Sequence, residues 1–225
     1  MMDHVAQRLS QTKVFNKFPS AVCSDLARLA SVRNIAPGEF CCHQGDLWPY
    51  VLFLADGALQ WSMLSIGGRE HVLFMLSPDE VFWGHSIFDD QPMPASLMAT
   101  QPSISYRWHR DVIVPYLYRY PETMWELAGV LTSTMRKARE IIYGLAFQPV
   151  AARFASLLLE RFSDPADKSV QRDLTLSAIA ARVAASPEVV CRILHQFQSD
   201  GVLEVTRATI TLFDREALEG LVETS

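Results

Sequence analysis

Residues 179–194 read Ile179-Ala-Ala-Arg-Val-Ala-Ala-Ser-Pro-Glu-Val-Val-Cys-Arg-Ile-Leu194. Ile179, Ala180 and Val183 recur as one inward face of a short helix, with Thr175 or Ser177 upstream as its N-cap. The small residues Ala184, Ala185 and Ser186 then form a turn. A second helix opens at once: Ser186 is a good N-cap, Pro187 sits where its missing N–H costs nothing, and Glu188 lies where the helix dipole favours an anion. Val190, Ile193, Leu194 and Phe197 form its buried stripe, which leaves Pro187, Glu188, Val189, Cys191, Arg192 and His195 on or near the outer side. Gly201 closes the helix, and a hairpin from Val202 to Phe213 follows, turned near Arg207-Ala208. The pattern predicts a winged helix-turn-helix.

Such a unit inserts its second helix into the major groove of duplex DNA, with the N-terminal residues at the base edges. Arg192 can fork two donors onto guanine O6 and N7, and Glu188 can accept from cytosine N4. Pro187, Val189 and Cys191 share that surface and are further base-reading candidates, while Ser177, Ser186, His195 and Arg207 are expected at phosphates. The competing reading of Glu188 and Arg192 is a solvent-facing ion pair across one helical turn. Charge sets a condition on either. The chain carries 20 Lys and Arg against 25 Asp and Glu, and residues 149–225 alone carry 8 against 11. Affinity for a polyanion is therefore expected to rest on a local patch and on two linked reading heads.

Upstream, residues 121–148 predict one long helix opening at Pro121-Glu122. Met124, Ala128, Leu131, Met135, Ala138, Ile142 and Leu145 follow alternating steps of four and three, the repeat of a two-stranded coiled-coil seam, and suggest a homodimer. The alternative is a stripe packed on the chain's own β domain. Pro149 marks a hinge, Val150–Phe162 reads as an amphipathic helix, and Ser163–Asp167 as a polar loop.

From Pro37 to about Trp108, short apolar stretches alternate with the turn formers Pro37-Gly38, Gly45-Asp46, Asp56-Gly57, Gly67-Gly68 and Ser77-Pro78-Asp79. Roughly eight short strands fit, among them Tyr50–Leu54, Leu59–Leu64 and His71–Leu76, with Gly67-Gly68 as a tight hairpin turn. The expected fold class is α+β, with a β-roll of jelly-roll type (a double-stranded β-helix) in residues 1–120, a dimerisation helix in 121–148 and the winged helix-turn-helix in 149–225. Cys23, Cys41, Cys42 and Cys191 lack metal-ribbon spacing and read as free thiols, with the adjacent Cys41 and Cys42 on opposite faces of a strand. No apolar run approaches the ~18 residues of a spanning helix, and no secretory leader precedes residue 20, so no membrane partner and a cytoplasmic location are expected.

With both halves in view, the chain resembles the CRP/FNR superfamily of bacterial transcription regulators. The run from Ile179 to Leu194 is similar to that family's reading motif without gaps, and Glu188 and Arg192 fall on its base-reading positions. Pro37-Gly38-Glu39, Gly45-Asp46 and Tyr50 to Gly57 are similar to the opening of its cyclic-nucleotide-binding roll, and Leu145-Ala146-Phe147 with Val150 and Arg153 to its hinge. The resemblance implies a homodimer on a pseudo-palindromic DNA site, with RNA polymerase as a further partner. Cys191 stands where one branch has Ser and Pro187 where the other has Arg, so one base contact is expected to be lost.

The implied effector pocket comprises Trp83, Gly84, His85, Ser86, Met93, Ala138 and Arg139. In gapless register the carboxylate that would hold the ribose falls on Gly84, and the arginine that would neutralise the cyclic phosphate falls on Met93. The Thr and Ser that touch the purine fall on Ala138 and Arg139. A buried phosphate without its cation is costly, so cyclic AMP is not expected as the ligand. His85 falls on the haem axial position of the carbon-monoxide-sensing branch, which leaves haem open as a cofactor beside the reading of His85 as an ordinary hydrogen-bonded histidine. No N-terminal cysteine cluster points to an iron–sulfur sensor. Two other readings are a cupin-like metal enzyme, in which His43 after Pro37-Gly38 lacks the further ligands, and a roll that serves only as a dimer platform.

Overall fold

The computed structural model describes residues 2–164 and 166–223; Pro165, in the loop expected at Ser163–Asp167, lies outside them. Contacts divide the chain into two units, Met1–Leu64 with Leu73–Lys137, and Ser65–Val72 with Ala138–Ser225.

The first unit opens with helices α1 (Met2–Leu9) and α2 (Ser20–Leu29), joined through a 3-10 turn at Phe15–Lys17. Eight strands follow: β1 (Ser31–Ile35), β2 (Phe40–Cys42), β3 (Tyr50–Asp56), β4 (Leu59–Leu64), β5 (Glu70–Leu76), β6 (Val81–Trp83), β7 (Ser96–Ala99) and β8 (Ser103–His109), with the short helix α3 (Ser86–Asp89) after β6. They form two four-stranded sheets, ordered β1-β8-β3-β6 and β2-β7-β4-β5. Seven of these strands, β2 to β8, lie in the stretch from Pro37 where turn spacing predicts roughly eight, and β1 precedes it. Helices α1, α2 and α4 (Arg110–Arg119) are additions that turn punctuation does not reveal.

Those helices explain why Tyr50 to Leu54 is a continuous apolar run instead of an alternating one. Leu52 and Leu54 face the roll interior with Ile35, Trp61, Met93 and Leu97. Val51 and Phe53 face the other way, into a cluster with Leu9, Phe15, Leu26, Trp83 and Trp108. A strand buried on both faces loses its polar face. Trp108 donates its indole N–H to the Leu26 carbonyl at 2.7 Å, which satisfies the one polar atom of a fully buried side chain.

The Gly67-Gly68 turn is present. Gly68 has φ +77° and donates to the Ser65 carbonyl at 2.9 Å, and Ser65 donates to that of Arg69 at 2.8 Å. All four cysteines are free. The expectation of Cys41 and Cys42 on opposite faces is corrected by a bulge: the β2–β7 register shifts between Phe40 and Cys42, so Cys42 lies within the roll cluster and Cys41 packs against it. Among the described residues no helix is long and apolar enough to cross a membrane.

Helix α5 spans Pro121–Phe147, 27 residues and about 40 Å long. Thr123 and Leu127 are buried, Leu127 in the helical cluster of the first unit, whereas Met124, Ala128, Leu131, Met135, Ala138, Ile142 and Leu145 are exposed in the single chain. The stripe is thus separate from the face that packs on the β domain. Trp125 and Phe147 add exposed apolar surface that the heptad reading omits.

In the second unit α6 (Val150–Arg161), α7 (Leu176–Arg182), α8 (Pro187–Ser199) and α9 (Arg215–Glu223) surround a sheet ordered β10-β11-β9, from β10 (Leu203–Val205), β11 (Thr209–Leu212) and β9 (Ser169–Gln171). The expected hairpin is β10–β11, and β9 is a third strand not foreseen, paired to β11 from Thr209 to Thr211. Pro149 is the N-cap of α6, which starts at Val150 as expected.

Candidate nucleic-acid interface

The reading motif is built by its caps. Thr175 caps α7, accepting from the Ala178 N–H at 3.1 Å, and Ser186 caps α8, accepting from the Val189 N–H at 3.4 Å. Between them Val183 ends α7, Ala184 adopts φ 50°, and the Ala185 N–H reaches back to the Ala180 carbonyl at 3.0 Å. This is the left-handed closure that usually takes glycine, made here by alanine. The buried stripe Val190, Ile193, Leu194 and Phe197 joins one core with Ile179, Ala180, Val183 and Phe154, and the Phe154 and Phe197 rings stack at 5.9 Å.

That burial fixes what faces out. Pro187, Glu188, Arg192 and His195 are exposed; Val189 and Cys191 are half-buried, Val189 packed against the core. Glu188 and Arg192 are not an ion pair: among the described residues neither has an opposite charge within 4.0 Å. The Ser186 hydroxyl and Glu188's own backbone N–H hold the Glu188 carboxyl below the usual carboxylate range. One helical turn therefore presents an ionised acceptor and an unengaged guanidinium. Ser177 is exposed on α7, and Arg207 is exposed at the wing tip, where Thr206 Oγ1 accepts from the Ala208 and Thr209 N–H groups at 3.2 and 2.9 Å.

A positioning residue whose role the sequence does not show is Arg153. Its Nη1 donates to the Gln148 carbonyl just past α5 at 2.7 Å and to that of Gly144 at 3.2 Å, which also accepts from the Gln148 N–H, while Nε donates to the Val183 carbonyl at the end of α7. Helix ends need such donors, but only the fold reveals which side chain supplies them.

Residues 152–221 match the Crp-like helix-turn-helix domain family, and residues 32–118 the cyclic nucleotide-binding domain family. The chain belongs to the CRP/FNR family. It is a DNA-binding transcription regulator of that family, whose members are not enzymes. It is 27% identical over 196 residues to the cyclic AMP receptor protein of Thermus thermophilus, covering 87% of this chain and 90% of that protein. It is 26% identical over 205 residues to the CRP-like cAMP-activated global transcriptional regulator of Mycobacterium tuberculosis, covering 89% and 91%. Its fold is similar to that of a crp/fnr-family regulator from Eubacterium rectale, with TM-score 0.77 and 20% identity over 93% of this chain and 97% of that one.

In this CRP/FNR protein the implied effector-pocket residues Trp83 and Met93 lie in different clusters of the first unit. Trp83 is on the helical side of its sheet, 6.0 Å from the Phe15 ring, and Met93 is buried in the roll interior. A Cβ on Gly84 would stand 2.7 Å from the Trp48 ring and from the Trp48 and Tyr50 carbonyls, so this backbone has no room for a side chain there. Ser86 is buried, donating to the Gln91 carbonyl at 2.7 Å and accepting from the Trp48 N–H at 3.2 Å. Ala138 and Arg139 are exposed.

His85 is exposed, its ring stacked on Trp61 at 5.9 Å. Burial against its neighbours lowers its pKa from the ordinary histidine value, opposed by the charge of Asp89. Trp61 in turn packs on Phe82 at 4.9 Å and Phe74 at 6.3 Å. His85 thus has the packed setting of an ordinary histidine, with one ring face covered by Trp61. His43 lies in the loop after β2, stacked on Phe40 at 4.2 Å, and among the described residues no three His, Cys, Asp or Glu side chains could hold a metal ion.

Proposed function

We propose that this regulator acts in the cytoplasm as a homodimer, joined along the exposed α5 stripe, and reads a pseudo-palindromic DNA site through Glu188 and Arg192. The reading rests on one observation: an ionised carboxylate and an unpaired guanidinium stand together on the outer face of α8, one turn apart at its N-terminal end. Two such helices would address half-sites ~34 Å apart. Phosphate contacts from Ser177, Ser186, His195 and Arg207 would orient the helix without reading sequence. RNA polymerase is the further partner expected of a transcription regulator.

The relatives' names refer to cyclic AMP, but two positions that the resemblance assigns to its recognition carry other residues in this chain. Where the resemblance puts a carboxylate and an arginine stand Gly84, with no space for a side chain, and the buried thioether of Met93. A cyclic phosphate there would lack its cation, so the effector, if the roll takes one, belongs to another class.

The test is a salt-controlled titration of Arg192→Ala on a selected site and on single-base variants of it. A loss of about 1–3 kcal/mol confined to one base pair of each half-site is expected. Unaltered base preference would remove Arg192 from the reading role.

A further inference from the structure

The polar end of the roll interior holds a group of side chains that the reading motif does not use. Arg33 on β1 is paired in register with Ser105 on β8, and Leu52 on β3 with Arg107, so Arg33, Ser105 and Arg107 share the interior face. They line, with Glu39, Cys41 and Trp48, a cavity of about 10 Å³, room for one water-sized group.

Two donors there have no partner. Ser105 is 1% exposed and its hydroxyl makes no hydrogen bond; the Nε of Arg107 is buried and likewise unpartnered. The Arg107 guanidinium lies over the Tyr50 ring at 5.0 Å and has no carboxylate within 4.0 Å among the described residues. The one carboxylate in the lining is already engaged: Glu39 accepts from Arg33 at 2.6 Å and from the Ala36 N–H at 3.0 Å. The lining therefore carries two cations and one anion, with an N–H and an O–H left to donate. Both guanidinium side chains are half-exposed, but buried donor atoms such as the Arg107 Nε–H and the Ser105 hydroxyl are normally satisfied.

We propose that this cavity binds a single small monatomic anion, of halide size, between the Arg107 Nε–H and the Ser105 hydroxyl, with Arg33 completing the positive lining. The cavity volume excludes nucleotides and bulky organic anions, and the site contains neither Gly84 nor Met93.

The experiment is thermal unfolding of the full chain at constant ionic strength while gluconate is replaced stepwise by chloride, bromide or formate. A saturable rise in Tm with the halides is expected for the wild type, removed in Ser105→Ala and Arg107→Gln and weakened in Arg107→Lys. Formate, whose three heavy atoms exceed a water-sized cavity, should give no saturable rise, and a formate response equal to that of chloride would overturn the halide assignment. Because Arg107→Gln also alters the sheet, a bromide soak gives an independent readout: an anomalous peak between Arg107 and Ser105. No saturable response in the wild type, an equal response in Ser105→Ala, or a bromide-free cavity would overturn the proposal and leave water as the occupant.

Discussion

The Nε of Arg153 donates to the Val183 carbonyl at 2.9 Å, so a guanidinium placed just after the hinge proline closes the last turn of the first reading-motif helix. The same side chain satisfies Gln148 and Gly144 at the end of α5. Arg153→Ala would leave the Gln148 and Val183 carbonyls without that donor, Gly144 keeping the Gln148 N–H; hydrogen bonds to a charged group are worth about 1.5–3 kcal/mol, and at this half-exposed site water replaces part of what is lost. A loss of about 2–3 kcal/mol in urea unfolding is expected, with Arg153→Lys intermediate because an ammonium lacks the fork. An unmoved midpoint would show that the latch contributes nothing.

Ala184 holds a left-handed conformation that costs a non-glycine residue about 1–2 kcal/mol. Glycine removes that strain but adds about 0.5–1 kcal/mol of unfolded-state entropy. Ala184→Gly should therefore stabilise the second unit by about 0.5–1 kcal/mol, and Ala184→Val, β-branched, should destabilise it. Calorimetry of the three chains decides the order; destabilisation by glycine would contradict it.

Met135 and Ile142 are exposed by 73% and 66% in the single chain, so Met135→Glu and Ile142→Glu should leave the protomer fold intact. In a two-fold dimer each change occurs twice, and burying such a side chain contributes about 1.5–3 kcal/mol. Sedimentation should show a weakened dimer with unaltered helical content, and DNA affinity should fall with it. Unchanged self-association would place the interface elsewhere.

Burial pushes the Cys41 thiol up to about 11 and that of Cys42 up to about 12. A raised thiol pKa means that the fold favours the neutral form. Its contribution to stability is present below the unfolded thiol's value, about 8.5, and is lost as pH rises above it. Iodoacetamide at neutral pH should label both slowly, with rates rising only in strong alkali, and unfolding should become easier above about pH 9. Mass spectrometry that finds Cys42 alkylated as fast as a small-molecule thiol would refute this.

The reading motif was legible because its signals are local. Caps at Ser186 and Thr175, a proline at the start of α8 and a buried stripe of period 3.6 each lie within a few residues, and the fold obeys all of them. Strands β2 to β8 were countable from turn chemistry for the same reason, whereas β1, before Pro37, was not. Helices α1, α2, α4 and α9 and the strand β9 were not, since each is held by partners distant in sequence. The chain order alone could not say that Trp83 points away from the roll interior while Met93 fills it, because a one-residue step along a strand reverses the face and a bulge such as that at Cys41 breaks the count. The sequence determined by itself which segment presents Glu188 and Arg192. Only the tertiary structure decided that the two stay unpaired, that Arg153 bridges two helix ends, and that Arg33, Ser105 and Arg107 come together from separate strands, since all three outcomes depend on packing between parts of the chain that no local pattern connects.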